Sequence, residues 1–263
     1  MRACDAGYPA SMVFQGVGVA LVTLFDGTGA VDAPATAAHA ARLVEAGIRA
    51  VVVAGTTGEA AALTGGERDA LLSAVRGSVD GAVPVIAGTG APSIWQAQEQ
   101  TERARDAGAD AALVLSPAQT ADPRPYYEAV AKVAGDMPVL AYHFPTVAPP
   151  GIPVEVIDDL PVSGCKDSSG DAERLLATLE ATAVPLYTGS SALLGLAGPA
   201  GCAGAILALA NLRPEECIAA FAGDLGAQRA LIGDHLAMRA RFPRGLKSLM
   251  AERLSTSDVA RIG

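Results

Sequence analysis

Residues 138–171 read PVLAYHFPTVAPPGIPVEVIDDLPVSGCKDSSGD. The stretch holds two short apolar runs, Val139-Leu140-Ala141 and Val162-Ser163-Gly164-Cys165, the first closed by Tyr142 and the second by Lys166. Each run is bounded by Pro or Gly and is too short for a helix, so each is expected to be a buried strand. A lysine closing such a strand is unusual, because burying an ammonium is costly unless something offsets it. The chain holds only three lysines, Lys132, Lys166 and Lys247, so its surface cations are overwhelmingly arginine. Arginine cannot be deprotonated to become a nucleophile, whereas lysine can. Lys166 is therefore a candidate for amine chemistry on a carbonyl compound. On local sequence alone, a lysine snorkelling out of a loop is an equal reading.

The same strand pattern extends along the chain in both directions. Further apolar runs lie at Val17–Phe25, Ala50–Ala54, Val83–Ala87, Ala111–Leu115, Leu186–Thr188 and Ala203–Leu207. Between them run amphipathic stretches at Ala35–Glu45, Gly66–Arg76, Ile94–Asp106, Pro125–Ala134, Val154–Asp158 and Ala172–Glu180. Thr64, Ser93, Asp122 and the run ending in Asp171 are placed to cap helices. EAGIRAVVV, DAGADAALV and AGDMPVLAY end helices on glycine ahead of the next strand. The strands are continuous apolar runs, as parallel strands covered on both faces require. Eight strand–helix units over roughly 200 residues suggest a (β/α)8 TIM barrel, whose usual size is about 250 residues. A doubly wound open sheet is the runner-up, disfavoured because no glycine-rich dinucleotide fingerprint follows the first strand. The expected organisation is a single domain, residues 14–212 as barrel and 213–263 as an all-helical C-terminal extension.

Composition narrows the function. With 263 residues, 51% hydrophobic, the chain suits one large core. Its formal charge of −9, without a run of Lys or Arg, disfavours a nucleic-acid partner. Cys4, Cys165, Cys202 and Cys217 show no paired spacing and read as reduced thiols of a cytoplasmic protein. Cys165 should point to the face opposite Lys166. The N-terminus lacks the basic start and apolar core of a signal peptide. Ala192–Ala210 is uncharged and long enough to span a bilayer, but its glycines, proline and alanines favour a short helix followed by a buried strand. No membrane partner is expected. His39, His143 and His235 are scattered, so no metal site is expected.

In a barrel of this kind, chemistry sits at the C-terminal ends of the strands. The residues there would be Thr56-Thr57-Gly58-Glu59, Gly88-Thr89-Gly90, Ser116-Pro117, Tyr142, Lys166, Gly189-Ser190-Ser191 and Ile206. Tyr142 and Lys166 would lie on neighbouring strands. Small residues, hydroxyls, one phenol and one amine suit a small oxygen-rich molecule. Taken singly, Tyr142 reads as a core tyrosine, the threonines as a turn, and Glu59 as a partner of backbone groups rather than an acid catalyst.

GTTGEAAALTGGER (55–68), AYHFP (141–145) and GCKDSSGD (164–171), in this order and spacing, resemble the dihydrodipicolinate synthase/N-acetylneuraminate lyase family of Schiff-base aldolases. FPRGLKSLMAERL (242–254) resembles the family's closing helices, and the likeness runs from about Gly18 to the end. The resemblance implies a (β/α)8 barrel, commonly a homotetramer, that holds pyruvate or a related 2-keto acid on a lysine. It implies that Lys166 forms the imine and that Tyr142 shuttles protons. Thr56 and Thr57 would hold the carboxylate and link to the tyrosine, with Gly58 beside them. Gly189 and the backbone carbonyl of Ile206 would face the substrate. No cofactor is implied beyond the covalent lysine imine.

The chemistry follows without the name. Removal from water favours the neutral amine, which attacks the ketone of a 2-keto acid. The resulting cationic imine withdraws electrons, so the adjacent carbon can lose a proton or break a C–C bond. Proton transfer by a phenol typically contributes about 10²–10⁴-fold. Backbone N–H groups near Thr57 can hold a carboxylate without a formal cation.

Two departures from the family pattern bear on the substrate. The place of the arginine that dihydrodipicolinate synthases carry past this turn falls at or near Val147, and Ala118-Gln119 stand where they carry a tyrosine pair. The turn is closer to those of 2-keto-3-deoxy sugar-acid aldolases. The expected activity is a class I aldolase cleaving a 2-keto-3-deoxy acid to pyruvate and an aldehyde. The alternatives are a 4-hydroxy-tetrahydrodipicolinate (dihydrodipicolinate) synthase condensing pyruvate with aspartate semialdehyde, and a non-catalytic keto-acid-binding barrel. A homo-oligomer, tetramer or dimer, is expected from the family alone.

Overall fold

In the computed structural model of the protein, which describes residues 12–262, eight parallel strands close into one barrel in chain order. They are β1 (Gly16–Ala20), β2 (Val51–Val53), β3 (Val85–Gly88), β4 (Ala111–Leu115), β5 (Val139–His143), β6 (Gly164–Asp167), β7 (Leu186–Thr188) and β8 (Gly204–Leu207). Around them run α1 (Ala33–Glu45), α2 (Gly65–Val79), α3 (Ile94–Asp106), α4 (Arg124–Ala134), α5 (Ala172–Ala181) and α6 (Leu194–Ala197). Then come α7 (Pro214–Phe221), α8 (Leu225–Ala240) and α9 (Arg244–Leu254). The expected (β/α)8 architecture is the observed one.

The pleat sorts the strand residues into two cores. Val52, Ile86, Leu113, Leu140, Tyr142 and Ile206 fill the lumen. Their neighbours Val51, Val53, Val139, Ala141 and Cys165 turn outward under the helices. Both faces are apolar, which is why the strands read as unbroken runs.

The lower end of the lumen is stoppered. Tyr187 fills it because its neighbours on the flanking strands are glycines: a Cβ on Gly164 would stand 2.9 Å from the Tyr187 ring, and one on Gly204 3.0 Å. Phe14 stacks on Tyr187 at 4.7 Å, and the Tyr187 hydroxyl donates to Phe14 O at 2.8 Å. The barrel therefore opens at one end.

Several sequence boundaries shift. The run Val17–Phe25 leaves the sheet after Ala20, because the Asn211 side chain intervenes: its Oδ1 accepts from Val22 N and its Nδ2 donates to Ala20 O. Val154–Asp159 is a 3-10 helix rather than an α-helical stretch, being short and confined between Pro153 and Pro161. Lys166 ends the apolar run, but β6 starts at Gly164 and continues to Asp167. Thr64, Ser93 and Asp171 cap their helices as expected, Thr64 in a reciprocal box with Glu67. Asp122 lies one residue before the cap of α4, yet its carboxylate still accepts from Arg124 N at 3.1 Å. The uncharged segment 192–210 contains α6 and β8, and no described helix is long and apolar enough to cross a membrane. Cys165, Cys202 and Cys217 are buried free thiols; Cys4 lies outside the described residues.

Candidate active site

The β5–β6 register pairs Tyr142 with Lys166 side by side. Both face the lumen because each lies two residues past another lumen position, Leu140 or Gly164. Burial leaves Lys166 4% and Tyr142 5% exposed. The Lys166 Nζ stands 4.1 Å above the Tyr142 ring centroid, a cation–π distance. Phe144 also stacks on the phenol ring, at 5.8 Å between centroids. The two rings and the lysine stem thus fix one another.

Cys165, between the two lumen positions, points outward as expected, and burial pushes its thiol up to about 12. It is inert packing. His143 also turns away, its Nδ1 accepting from Ile152 N at 2.8 Å. Burial, with the Asp167 charge opposing and Arg174 adding, pulls His143 down to about 4. Asp167 and Arg174 pair at 2.8 Å behind the strand, and Arg174 also donates to Ile152 O, bracing the end of β6.

The threonine loop after β2 is held in a strained shape. Ala54 and Glu59, on either side of it, have φ of 51° and 56°, left-handed values that cost non-glycine residues about 1–3 kcal/mol each. Glu59 secures the far end. Its Oε2 accepts from Arg261 N and Ile262 N, both at 2.7 Å, and its Oε1 pairs with Lys247 Nζ at 2.5 Å. Glu59 is thus a structural anchor, as its sequence context suggested. Its pairing with Lys247 of α9 was not foreseeable from the motif.

A cavity of about 240 Å³ opens above the strand ends and collects Lys166, Tyr142, Thr56, Thr57, Gly189 and Ile206. Gly189 has to be glycine: a Cβ there would stand 3.1 Å from Lys166 Cε and would overlap the Ser168 hydroxyl. Gly58, the remaining candidate, is absent from the lining. It sits behind the loop, where its carbonyl accepts from Thr23 Oγ1 at 2.7 Å, and a Cβ would stand 3.0 Å from Leu21 O. Its place is structural, packing the turn against the end of β1. Among the described residues no hydrogen bond joins the Tyr142 hydroxyl to Thr56 or Thr57. None holds a metal-ligating cluster of three or more His, Cys, Asp or Glu.

Helix α8 and the turn after it supply a wall that sequence reasoning missed. His235, Met238, Arg239 and Phe242 line the cavity at helical spacing. The Ser191 hydroxyl and His235 Nδ1 lie 2.8 Å apart, and Gln228 bridges Ser191 O and Gly195 N, tying α8 to the loop after β7. The only sequence signal was an i, i+3, i+4 row of His, Met and Arg, which marks a face without saying what it covers. Val147, at the expected place of a substrate-gripping arginine, forms an apolar part of the rim.

With this geometry in hand, the comparisons with known proteins agree. The model of the dihydrodipicolinate synthetase family matches residues 13–231. An uncharacterized DapA-like lyase of Halobacterium salinarum is 36% identical over 245 residues, covering 88% of this chain and 80% of the relative. A 4-hydroxy-tetrahydrodipicolinate synthase of Natronomonas pharaonis is 36% identical over 234 residues, 83% of this chain and 79% of that one. Among solved structures, dihydrodipicolinate synthase DapA-2 of Bacillus anthracis superposes with a TM-score of 0.87 at 26% identity, covering 95% of this chain and 92% of its own.

Proposed function

The chain belongs to the dihydrodipicolinate synthetase family, a family of lyases, and from that premise we propose that it is a class I aldolase that reversibly cleaves a 2-keto-3-deoxy acid to pyruvate and an aldehyde. The observation that carries this reading is a lysine amine buried in the barrel mouth against a phenol, within a cavity whose lining, among the described residues, has no carboxylate.

The neutral Lys166 amine adds to the C2 ketone, and loss of water gives a protonated imine. Tyr142 gives its proton to the departing hydroxyl as the imine forms, and the phenolate so left takes the proton from the C4 hydroxyl as the C3–C4 bond breaks. The bonding pair moves into the imine to give an enamine, and the aldehyde departs. Protonation at C3 and attack of water on the imine then return pyruvate and free Lys166. Thr56 and Thr57 hold the carboxylate, and the smoothness of Gly189 leaves room for the imine carbon. No cofactor enters the scheme, since the electron sink is the covalent imine itself.

Pyruvate with sodium borohydride should leave a reduced adduct on Lys166, located by peptide mass spectrometry. An adduct on Lys132 or Lys247 instead would refute the assignment. The synthase relatives favour a second reading, condensation of pyruvate with aspartate semialdehyde. A higher kcat/KM for that aldehyde than for any in a panel of hydroxyaldehydes decides for it. A homo-oligomer is part of the proposal, and light scattering measures it.

A further inference from the structure

The chain carries 28 acidic and 19 basic residues, yet among the described residues the cavity lining holds Lys166, His235 and Arg239 and not one Asp or Glu. The two cations sit at different depths. Lys166 is at the floor, 4% exposed, and Arg239 is exposed at the rim. Arg213 and Arg253 both bind Asp234 on another face of α8, at 2.6–2.8 Å, and neither they nor Arg241 and Arg244 line the cavity, which Arg239 does. Among the described residues Arg239 enters no ion pair and no hydrogen bond, and its charge is felt by His235 within the same lining. Because His235 and Gln228 tie α8 to the loop after β7, the guanidinium is carried on a fixed element rather than on a loose loop. Phe144, Val147, Met238 and Phe242 make much of the remaining wall apolar, and its other polar groups are the neutral hydroxyls of Thr146, Ser168, Ser190 and Ser191, so Arg239 is the exposed cation of the lining.

Resting on the aldolase reading above, we propose that Arg239 selects the aldehyde half of the substrate by binding an anionic group at its far end, a carboxylate or a phosphate. The preferred substrate is then a doubly anionic 2-keto-3-deoxy acid, its keto-acid end held at the floor and its second anion at the rim. A guanidinium presents a planar fork that matches either oxyanion.

The test is the pyruvate condensation run with glyceraldehyde, glyceraldehyde 3-phosphate and succinate semialdehyde, on the natural protein, Arg239→Leu and Arg239→Lys. The natural protein should prefer at least one anionic aldehyde over glyceraldehyde by about tenfold or more in kcat/KM, through KM. Which of the two is preferred separates phosphate from carboxylate. In Arg239→Leu that ratio should collapse toward one, and Arg239→Lys should keep part of it. A natural protein indifferent to charge, or a preference that survives Arg239→Leu, overturns the inference. Borohydride trapping of pyruvate, run alongside, separates the two levels. Trapping on Lys166 with an unchanged ratio sinks the role of Arg239 alone, while no trapping in the natural protein sinks the keto-acid reading and this one with it.

Discussion

Two of the three lysines are buried, and they are nearly matched in surroundings: Lys166 is 4% exposed and Lys247 fully buried, each with its Nζ over an aromatic ring, at 4.1 Å over Tyr142 and 4.2 Å over Phe25. The difference is the counter-charge. Lys247 meets Glu59 at 2.5 Å and donates to Val259 O at 2.8 Å, whereas the cavity around Lys166 offers hydroxyls, a phenol and a glycine. Burial draws Lys247 below the usual lysine range, and Glu59 works against that draw. A buried ammonium that owns a carboxylate is a rivet. A buried amine without one has no ion pair to break before its nitrogen can meet a substrate. The rivet also serves the site, since Glu59 closes the strained loop that presents Thr56 and Thr57.

The widest separation of the two should come from Lys166→Arg. It keeps the cation and the fold, but turnover and borohydride trapping should fall to background; circular dichroism and intact mass are the checks. Tyr142→Phe should slow turnover by about 10²–10⁴-fold while trapping still proceeds, and an undiminished steady-state rate removes its proton role. Lys247→Met strands Glu59 without its cation and should cost about 3–5 kcal/mol of stability, read from the denaturant midpoint. Adding Glu59→Gln should recover much of that loss, whereas an equally unstable double variant would show that the two do not act as a pair.

The smallest effect concerns the segment that Glu59 grips. Arg261 there also pairs with Glu67. The Arg261 hydrogen bond first, and the Thr64 N–H next, hold the Glu67 carboxyl at about 2 against an ordinary 4.5. Because the folded value is the lower one, the stabilisation is complete above 4.5 and disappears as pH falls toward 2. Both side chains are about a quarter exposed, so the gain is under about 1 kcal/mol. Glu67→Gln should flatten the acid side of the stability–pH profile by that small amount.

What the sequence could show follows from range. The strands were legible because their two-sided burial is written residue by residue, and Tyr142 and Lys166 because adjacent strands of a barrel bring their ends together. The threonine loop was legible as a motif, but Gly58 was misplaced: a motif lists neighbours in sequence, and only packing against Leu21 and Thr23 shows which of them turn away from the lumen. The partnership of Glu59 with Lys247, and the arrival of His235 and Arg239 over the mouth, depend on how the last helices dock. Amphipathic spacing on α8 predicts a covered face and is silent on what covers it. The fit of Tyr187 between Gly164 and Gly204 belongs to three strands at once, so no window of sequence contains it.

The stopper made by Phe14 and Tyr187 turns the lumen into a cul-de-sac. Under the proposed aldolase scheme the aldehyde, nearer the entrance, would leave while the other fragment is still bonded to Lys166, and the closed floor leaves it no second way out. In that scheme pyruvate should compete with the intact acid for the empty enzyme while the aldehyde inhibits without competing, an order set by the covalent bond, with the two rings at the floor confining both exits to one mouth.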